Sequence, residues 1–156
     1  MKKNNIDDTY FMQLALHEAQ KAFAKDEVPV GALLVDESGV ILGRGYNLVE
    51  KRHQQTAHAE VIAINKACKK IEDWRLLNCT LYVTLEPCSM CMSLIRLSRI
   101  KRVVYGASSP LFGYALDNKQ NDQVYNKNVQ IITKGVLGQE SSQLLKKFFK
   151  LKREKE

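Results

Sequence analysis

Two short segments that lie far apart in the chain constrain its fold more than any other feature of the sequence. The first, HAE, covers residues 58–60, and the second, PCSMC, covers residues 87–91. Together they read H-x-E followed by P-C-x-x-C, a pattern in which five residues of four types must coincide at fixed local spacings. Imidazole and thiolate are ligands that zinc prefers in proteins. We therefore expect a fold that brings these two segments to one ion.

The spacing of the two cysteines predicts that they face one ion together. Cys88 and Cys91 are three residues apart, so one helical turn places them on the same side. We expect them in the first turn of a helix opened by Pro87, where the positive end of the helix dipole favours thiolates. His58 would supply a third ligand from another helix. Three protein ligands leave the fourth position to water, as in a catalytic zinc site.

Glu60 is predicted to carry protons rather than to bind the ion. Residues two apart point to nearly opposite sides of a helix, so His58 and Glu60 share a site only if the helix begins there. The preceding run HQQT is polar, and Thr56 is the predicted N-cap. Two thiolates already balance the charge of zinc. A carboxylate beside the metal-bound water would help to remove its proton.

A closed structural zinc site is the alternative at this point. It would need a fourth protein ligand, which Cys68, Cys79 or His53 could supply. Cys68 lies in an apolar helical segment and Cys79 begins a predicted strand, so both suit the core better than a metal. His53 lies in a polar loop and could line the pocket instead.

Composition and periodicity indicate one domain over residues 1–156. The chain is 45% hydrophobic and 26% charged, which is ordinary for a globular protein. It has no apolar run of transmembrane length and no apolar signal core near its start, so we expect a cytoplasmic protein without a membrane partner. Its net charge is +7, with six basic residues in the tail KKFFKLKREKE. That tail could attract phosphate or could simply keep a helix end solvated.

The hydrophobic pattern predicts an α/β fold. Asp7 or Asp8 would cap the first helix. An initial hairpin followed by alternating helices and strands favours a mixed sheet with helices on both faces. Helices are expected over residues 8–24, 57–70, 87–98 and 141–151, and strands over residues 28–36, 40–47, 79–86, 102–107 and 129–133.

Segments along most of the chain resemble those of one enzyme family, in the family's order. They are EVPVGALLV, GRGYN, RHQQTAHAE, LYVTLEPCSMC, SRIKRVVYGA and LLKKFFK. The H-x-E and P-C-x-x-C pattern is the signature of zinc deaminases. The chain as a whole resembles the bacterial tRNA-specific adenosine deaminases, within the cytidine deaminase-like superfamily. The resemblance implies a three-layer α/β/α fold with a mixed five-stranded sheet.

The resemblance also implies a reaction. It is the hydrolytic deamination of adenosine to inosine at the wobble position of a tRNA anticodon, with one zinc ion per subunit. His58, Cys88 and Cys91 would bind the zinc. Glu60 would take a proton from water, give one to ring nitrogen N1 and help ammonia to leave. A homodimer that contacts tRNA with both subunits is implied as well, and no DNA partner is expected.

Further contacts to the substrate are implied in the same way. Asn47 would grip the target nucleoside and Val30 would wall the pocket. Main-chain groups near Ala59, and from Leu85 to Glu86, would read the edge of the base. In the basic tail, Phe148 and Phe149 are expected to pack in the core rather than support a stacked base. The candidates for phosphate contact are Lys146, Lys147, Lys150, Lys152 and Arg153.

Two loops depart from the family's pattern. After VVYGA the family usually carries Asp, Lys and Gly at alternate positions, where this chain has Ser109, Leu111 and Gly113. Gln54 and Gln55 stand where an Asp-Pro pair is usual. The zinc chemistry is untouched, but the grip on the substrate strand is expected to differ.

Two other functions compete with the first. One is a deaminase of a free base or nucleoside, of the guanine or cytosine deaminase type, which the altered loop favours and the basic tail opposes. The other is a non-catalytic RNA-binding or subunit-partner protein that keeps zinc for structure. Glu60 argues against the latter, since such a protein needs no proton carrier.

Overall fold

The protein forms one mixed sheet with helices packed against it. A computed structural model describes residues 7–116, 129 and 131–156. In chain order the elements are α1 (Asp8–Ala24), β1 (Gly31–Val35), β2 (Ile41–Tyr46), α2 (Val49–Arg52), α3 (Ala59–Ile71), β3 (Thr80–Leu85), α4 (Ser89–Leu97), β4 (Arg102–Ala107), a 3-10 turn (Tyr114–Leu116), β5 (Ile131–Lys134) and α5 (Gly138–Lys155).

The five strands follow the spatial order β2-β1-β3-β4-β5. β1 pairs antiparallel with both β2 and β3, whereas β3, β4 and β5 run parallel. The parallel strands β3 and β4 are joined by α4, as a crossover connection requires. This confirms the predicted α/β fold with a mixed five-stranded sheet.

Alternate residues of the central strands enter two separate cores, one on each face of the sheet. Leu33, Tyr82 and Val104 pack with α1, whereas Leu34, Leu81 and Val103 pack with α3 and α4. Burial of every residue in β1 reflects a strand covered on both faces. The three-layer α/β/α arrangement is therefore confirmed. Within the described residues, no helix is both long enough and apolar enough to cross a membrane.

One polar contact fastens the start of α1 to the sheet. Asp7 caps α1, since its Oδ1 accepts hydrogen bonds from the amides of Thr9 and Tyr10. The carboxylate of Asp8 receives two hydrogen bonds from Arg102 on β4, at 2.7 and 2.6 Å. The Tyr82 hydroxyl donates a third at 2.8 Å. Of the two predicted caps, Asp7 is thus the N-cap and Asp8 ties the helix to β3 and β4.

The structure corrects the predicted starts of two helices. Thr56 is not the N-cap of α3, because residues 54–57 form a turn in which the Ala57 amide bonds to the Gln54 carbonyl. His58 occupies the N-cap position instead. Pro87 does not open α4, which begins at Ser89 after an extended Cys88. Cys88 forms a β-bridge to Gly113, and that pairing keeps the chain extended up to the helix.

The last two elements differ from the prediction only at their ends. β5 ends one residue later than predicted, at Lys134. α5 begins three residues earlier, at Gly138, and continues to Lys155. The charged residues after Leu151 are good helix formers, so the helix continues although the apolar pattern stops.

Candidate metal centre and active site

His58 is placed by the close packing of α3 on β2. The first turn of α3 lies so near the strand that a Cβ atom on Gly45 would stand only 2.8 Å from the amide nitrogen of Ala63 and 3.0 Å from Cβ of Ile62. A residue larger than glycine would push the helix away. His58 precedes the first helical residue in an extended conformation and occupies the N-cap position. Gly45, the second glycine of GRGYN, therefore lets the start of α3 lie close to β2 and helps to fix the position of this ligand.

The two cysteines lie where β3 passes into α4. Cys88 is the N-cap residue of α4 and Cys91 lies in its first turn. β3 is central in the sheet, so this turn opens at the carboxyl end of the parallel strands. That end of an open α/β sheet is where ligands commonly bind.

Three side chains converge on one point. Nδ1 of His58 is 3.3 Å from Sγ of Cys91 and 3.7 Å from Sγ of Cys88. Among the described residues, these three form the one group of potential ligands whose atoms all lie within 4.8 Å of one another. Nδ1 is thus the ring nitrogen that faces the two sulfurs. One imidazole and two thiolates suit a tetrahedral zinc with one open position.

The chemistry of the sulfurs also fits a bound cation. The thiol of Cys91 donates a hydrogen bond to Cys88, which lowers the pKa of Cys88 to about 4. The same hydrogen bond raises the pKa of Cys91. The lowered pKa favours the thiolate at Cys88, and the raised pKa favours the thiol, with its proton, at Cys91. A zinc ion among these atoms would displace that proton, because the metal ligand is the thiolate. The prediction of a zinc cofactor is confirmed to the extent that His58, Cys88 and Cys91 are positioned to hold a metal ion.

Glu60 lies beside this group without belonging to it. Its side chain is 4% exposed and lines the same cavity as His58 and Cys88. Burial raises the pKa of its carboxyl group. Its oxygens are outside the set of mutually close ligand atoms. A raised pKa makes the carboxylate a stronger base, which suits a group that takes a proton from water.

A cavity of about 550 Å³ opens in front of the ligands. Its volume falls in the range of small-molecule sites. Cys91 is fully buried beneath it. All of the predicted substrate contacts line this cavity, namely Val30, Asn47, Ala59, Leu85 and Glu86. The structure brings these residues together with Glu60, and their individual roles remain predictions.

The side chain of Asn47 is held in a fixed orientation. Its Nδ2 donates to the carbonyl of Val28, and its Oδ1 accepts from the amide of Val49, both at 3.3 Å. One amide hydrogen and one lone pair remain available to a ligand. Asn47 can therefore offer one donor and one acceptor to a molecule in the cavity.

Glu86 plays a part that its sequence position did not suggest. Its amide donates to the carbonyl of Ala107, so it is already used within the sheet. Its carboxylate accepts hydrogen bonds from the amides of Ser109 and Ala115, at 3.1 and 3.2 Å. Glu86 thus holds the 108–116 loop, and only its carbonyl is left to face a base.

Glu27 is a buried residue of the cavity that the sequence reasoning missed. Its carboxylate accepts hydrogen bonds from the amides of Glu50 and Lys51, at 3.2 and 2.7 Å. It therefore fixes the first turn of α2, which follows Asn47 directly. No local pattern marks this role, because the partners lie more than twenty residues away along the chain.

The basic tail only partly follows the prediction. Phe148 is buried and meets Phe23 edge to face, with ring centroids 5.8 Å apart. Phe149, by contrast, is 43% exposed, so the expectation of core packing is wrong for this residue. Lys152 donates to Asp26 at 2.8 Å, which neutralises one of the candidate cations.

The alternative zinc ligands lie apart from the ion site. Cys79 is buried, and burial raises the pKa of its thiol to about 11. Burial likewise raises the pKa of Cys68. His53 ends the short helix α2 on the surface. Within the part of the chain that the structure describes, none of the three joins the ligand group, so a closed four-ligand site is not formed there.

Known proteins share both the sequence and the fold. A family model described as the cytidine and deoxycytidylate deaminase zinc-binding region matches residues 5–107. The tRNA-specific adenosine deaminase of Haemophilus influenzae is 47% identical over 148 residues, a match that covers 94% of this chain and 86% of that protein. The matched regions contain both segments that carry the ligands.

The solved structures that match at more than 30% identity include the following two. One comes from a study of A-to-I editing by tRNA:A34 deaminases at the wobble position of transfer RNA. It is 37% identical, has a TM-score of 0.78, and the match covers 87% of this chain and 99% of that one. The other is guanine deaminase from Bacillus subtilis, 36% identical with a TM-score of 0.64, covering 75% of this chain and 73% of that one.

Proposed function

The chain belongs to the cytidine and deoxycytidylate deaminase zinc-binding family, and from that premise we propose that it deaminates adenosine to inosine at the wobble position of a tRNA anticodon. One observation carries the proposal. A trio of zinc ligands and a buried carboxyl group face one cavity of about 550 Å³. The relatives named as tRNA-specific adenosine deaminases support the choice of substrate.

The proposed chemistry is hydrolytic. His58, Cys88 and Cys91 would hold the zinc, which when bound lowers the pKa of a coordinated water and so supplies the nucleophile. The Glu60 carboxylate accepts a proton from water and passes it to N1 of adenine. It then takes the proton of the new hydroxyl group on C6 and gives it to the departing amino group, so that C6 becomes a carbonyl and the amino group leaves as ammonia. The raised pKa of Glu60 favours its uptake of each proton that it carries.

The walls of the cavity would orient the adenine. Val30 and Leu85 offer apolar surface, whereas Asn47 offers one donor and one acceptor to the nucleoside. Main-chain groups near Ala59 and the carbonyl of Glu86 would contact the edge of the base. A base that enters must first leave its stack, which costs least in a single-stranded loop. An anticodon loop meets that condition.

We further propose tRNA as the partner, a homodimer as the active form and the cytoplasm as the place of action. The resemblance of the sequence to the tRNA deaminase family supports all three. The basic α5 supports the first, because lysines on an exposed helix attract a phosphate backbone. Light scattering of the purified protein would test the oligomeric state.

A deaminase of free guanine is the second candidate. The similarity to guanine deaminase from Bacillus subtilis and the uncharged 108–116 loop favour it. One assay separates the two functions. Inosine formation is measured on an anticodon stem-loop with a wobble adenosine, beside ammonia release from guanine, cytosine and cytidine. We expect inosine from the stem-loop, whereas ammonia from free bases alone would overturn the first candidate.

A further inference from the structure

We propose that the ring of Phe112 forms a stacking site for an unpaired nucleobase next to the target nucleotide, an inference that rests on the proposed function. The ring lines the mouth of the cavity that contains Glu60. The occupant would be a base of the same RNA strand.

The loop that carries Phe112 is fixed at both ends. The carboxylate of Glu86 bonds to the amides of Ser109 and Ala115, and the Pro87 carbonyl accepts from Tyr114 at 2.9 Å. These bonds tie the 108–116 loop to the segment that continues into Cys88. The position of the loop relative to the metal ligands is therefore set by the protein itself, before any RNA binds.

A tight turn inside the loop directs Phe112 outwards. The Ser109 carbonyl accepts from the amide of Gly113 at 3.1 Å, and the Ser109 hydroxyl accepts from the amide of Phe112 at 3.4 Å. The Phe112 side chain is consequently 75% exposed although it borders the cavity. Met90, another partly exposed residue of the cavity, adds apolar surface to the same mouth.

The chemistry of the loop favours a base over a phosphate. Residues 108–116 contain no charged side chain, so the loop cannot form an ion pair with a phosphate group. An exposed aromatic ring can stack on any base, because every base has a π-face. Sequence-specific and loop-specific RNA recognition commonly uses bases splayed onto aromatic side chains. A cavity that takes one base leaves its neighbours in the strand at the mouth, where Phe112 lies.

Leu111 offers a matched control. It is adjacent to Phe112 and equally exposed, at 75%, but it does not line the cavity. If the loop contributed only general apolar surface, substitution of either residue would weaken RNA binding to the same extent. If Phe112 is a specific stacking partner, only its substitution would weaken RNA binding.

The test uses anticodon stem-loops with 2-aminopurine on the 5′ or the 3′ side of the target, bound to Glu60→Ala protein so that no turnover occurs. Stacking quenches 2-aminopurine fluorescence. We expect quenching at one of the two positions. Adding Phe112→Ala should remove it and weaken binding about 5- to 100-fold. Phe112→Trp should retain both the quenching and the affinity. Leu111→Ala should keep an affinity within about twofold of that of the Glu60→Ala protein.

Two results would overturn the inference. One is unchanged quenching and affinity in the Phe112→Ala protein. The other is a shift of that variant from dimer to monomer in light scattering, which would assign the ring to a contact between two copies of the chain. Failure of the proposed function is detected in a separate measurement: the wild-type protein would form no inosine on the same stem-loop.

Discussion

The carboxylate of Glu86 occupies the space that a side chain on Gly113 would need. A Cβ atom at Gly113 would lie 2.7 Å from Oε1 of Glu86 and closer still to Oε2. The same carboxylate bonds to two amides of the loop, so it cannot move aside without releasing them. This contact explains why Gly113 is the one residue of the family's Asp, Lys and Gly that the altered loop retains.

Gly113→Ala should displace the 108–116 loop. The new methyl group collides with Glu86, and overpacking of this kind costs about 1 to 3 kcal/mol. We expect kcat/KM on the stem-loop to fall about tenfold, within the range that such a cost implies. Zinc content should fall less than kcat/KM, because none of the three ligands lies in the loop, although Gly113 forms a β-bridge to Cys88. Steady-state kinetics and metal analysis would check both.

The double variant Glu86→Ala/Gly113→Ala provides the control. Removal of the carboxylate gives the new methyl group room, so the two changes should be less than additive. Additive losses would show that the two residues act independently, in conflict with the contact described.

Glu60→Gln should retain zinc and lose turnover. The three ligands remain in place, but an amide cannot accept and return the proton. We expect kcat to fall by about 10²- to 10⁴-fold, the usual contribution of a general acid–base group. The metal content of the variant, measured by mass spectrometry, should still be one zinc per chain. Loss of the metal would show instead that Glu60 is a ligand.

The ion pair of Asp8 with Arg102 should make stability depend on pH. Burial raises the pKa of Asp8, but the hydrogen bonds from Arg102 and Tyr82 outweigh it and hold the pKa below its usual 3.8. The folded state therefore gains stability above pH 3.8 and loses it as the pH falls through the lower folded value. Asp8→Asn should lower the free energy of unfolding at pH 7 by about 1 kcal/mol, after allowance for screening.

Urea unfolding of wild type and Asp8→Asn at pH 7 and pH 3 would measure this effect. The difference between the two proteins should shrink at the lower pH. Asp73→Asn is a suitable control, since its pair with Arg75 is exposed and local in sequence. A difference that grows towards low pH would contradict the assigned direction.

RNA binding should weaken steeply as salt rises, and α5 should contribute to the slope. The exposed Lys150 has no ion pair among the described residues, whereas Lys152 is already bonded to Asp26. Lys150→Gln should reduce the slope of log K against log salt by about 0.7 to 0.9 if it meets one phosphate. Lys152→Gln should reduce it less. If RNA binding by the wild-type protein did not change with salt, phosphate contacts by α5 would be excluded.

The sequence was most informative where chemistry and periodicity agree. His58, Cys88 and Cys91 were identified because few residue types bind zinc and their local spacings are short. The strands were identified from apolar runs, which a sheet covered on both faces requires. Helix starts were less predictable. The conformations of His58 and Cys88 depend on tertiary pairings, such as the bridge from Cys88 to Gly113, that no local pattern records.

Long-range hydrogen bonds account for the rest of what was missed. Glu27 drew no prediction and Glu86 was predicted only to offer a main-chain contact, yet the carboxylate of each is buried against backbone amides more than twenty residues away. Phe112 carries no periodic signal because it lies in a turn. Its placement at the cavity depends on Glu86, so it follows only from the fold.

The most direct test of the central claim is a zinc titration of the chelated protein with inosine as the readout. His58, Cys88 and Cys91 are proposed to hold one zinc that deamination requires. The metal-free protein should therefore form no inosine on the stem-loop, and activity should rise linearly to a plateau at one zinc per chain. Full activity without metal, or no inosine from protein that has bound one zinc per chain, would contradict this claim.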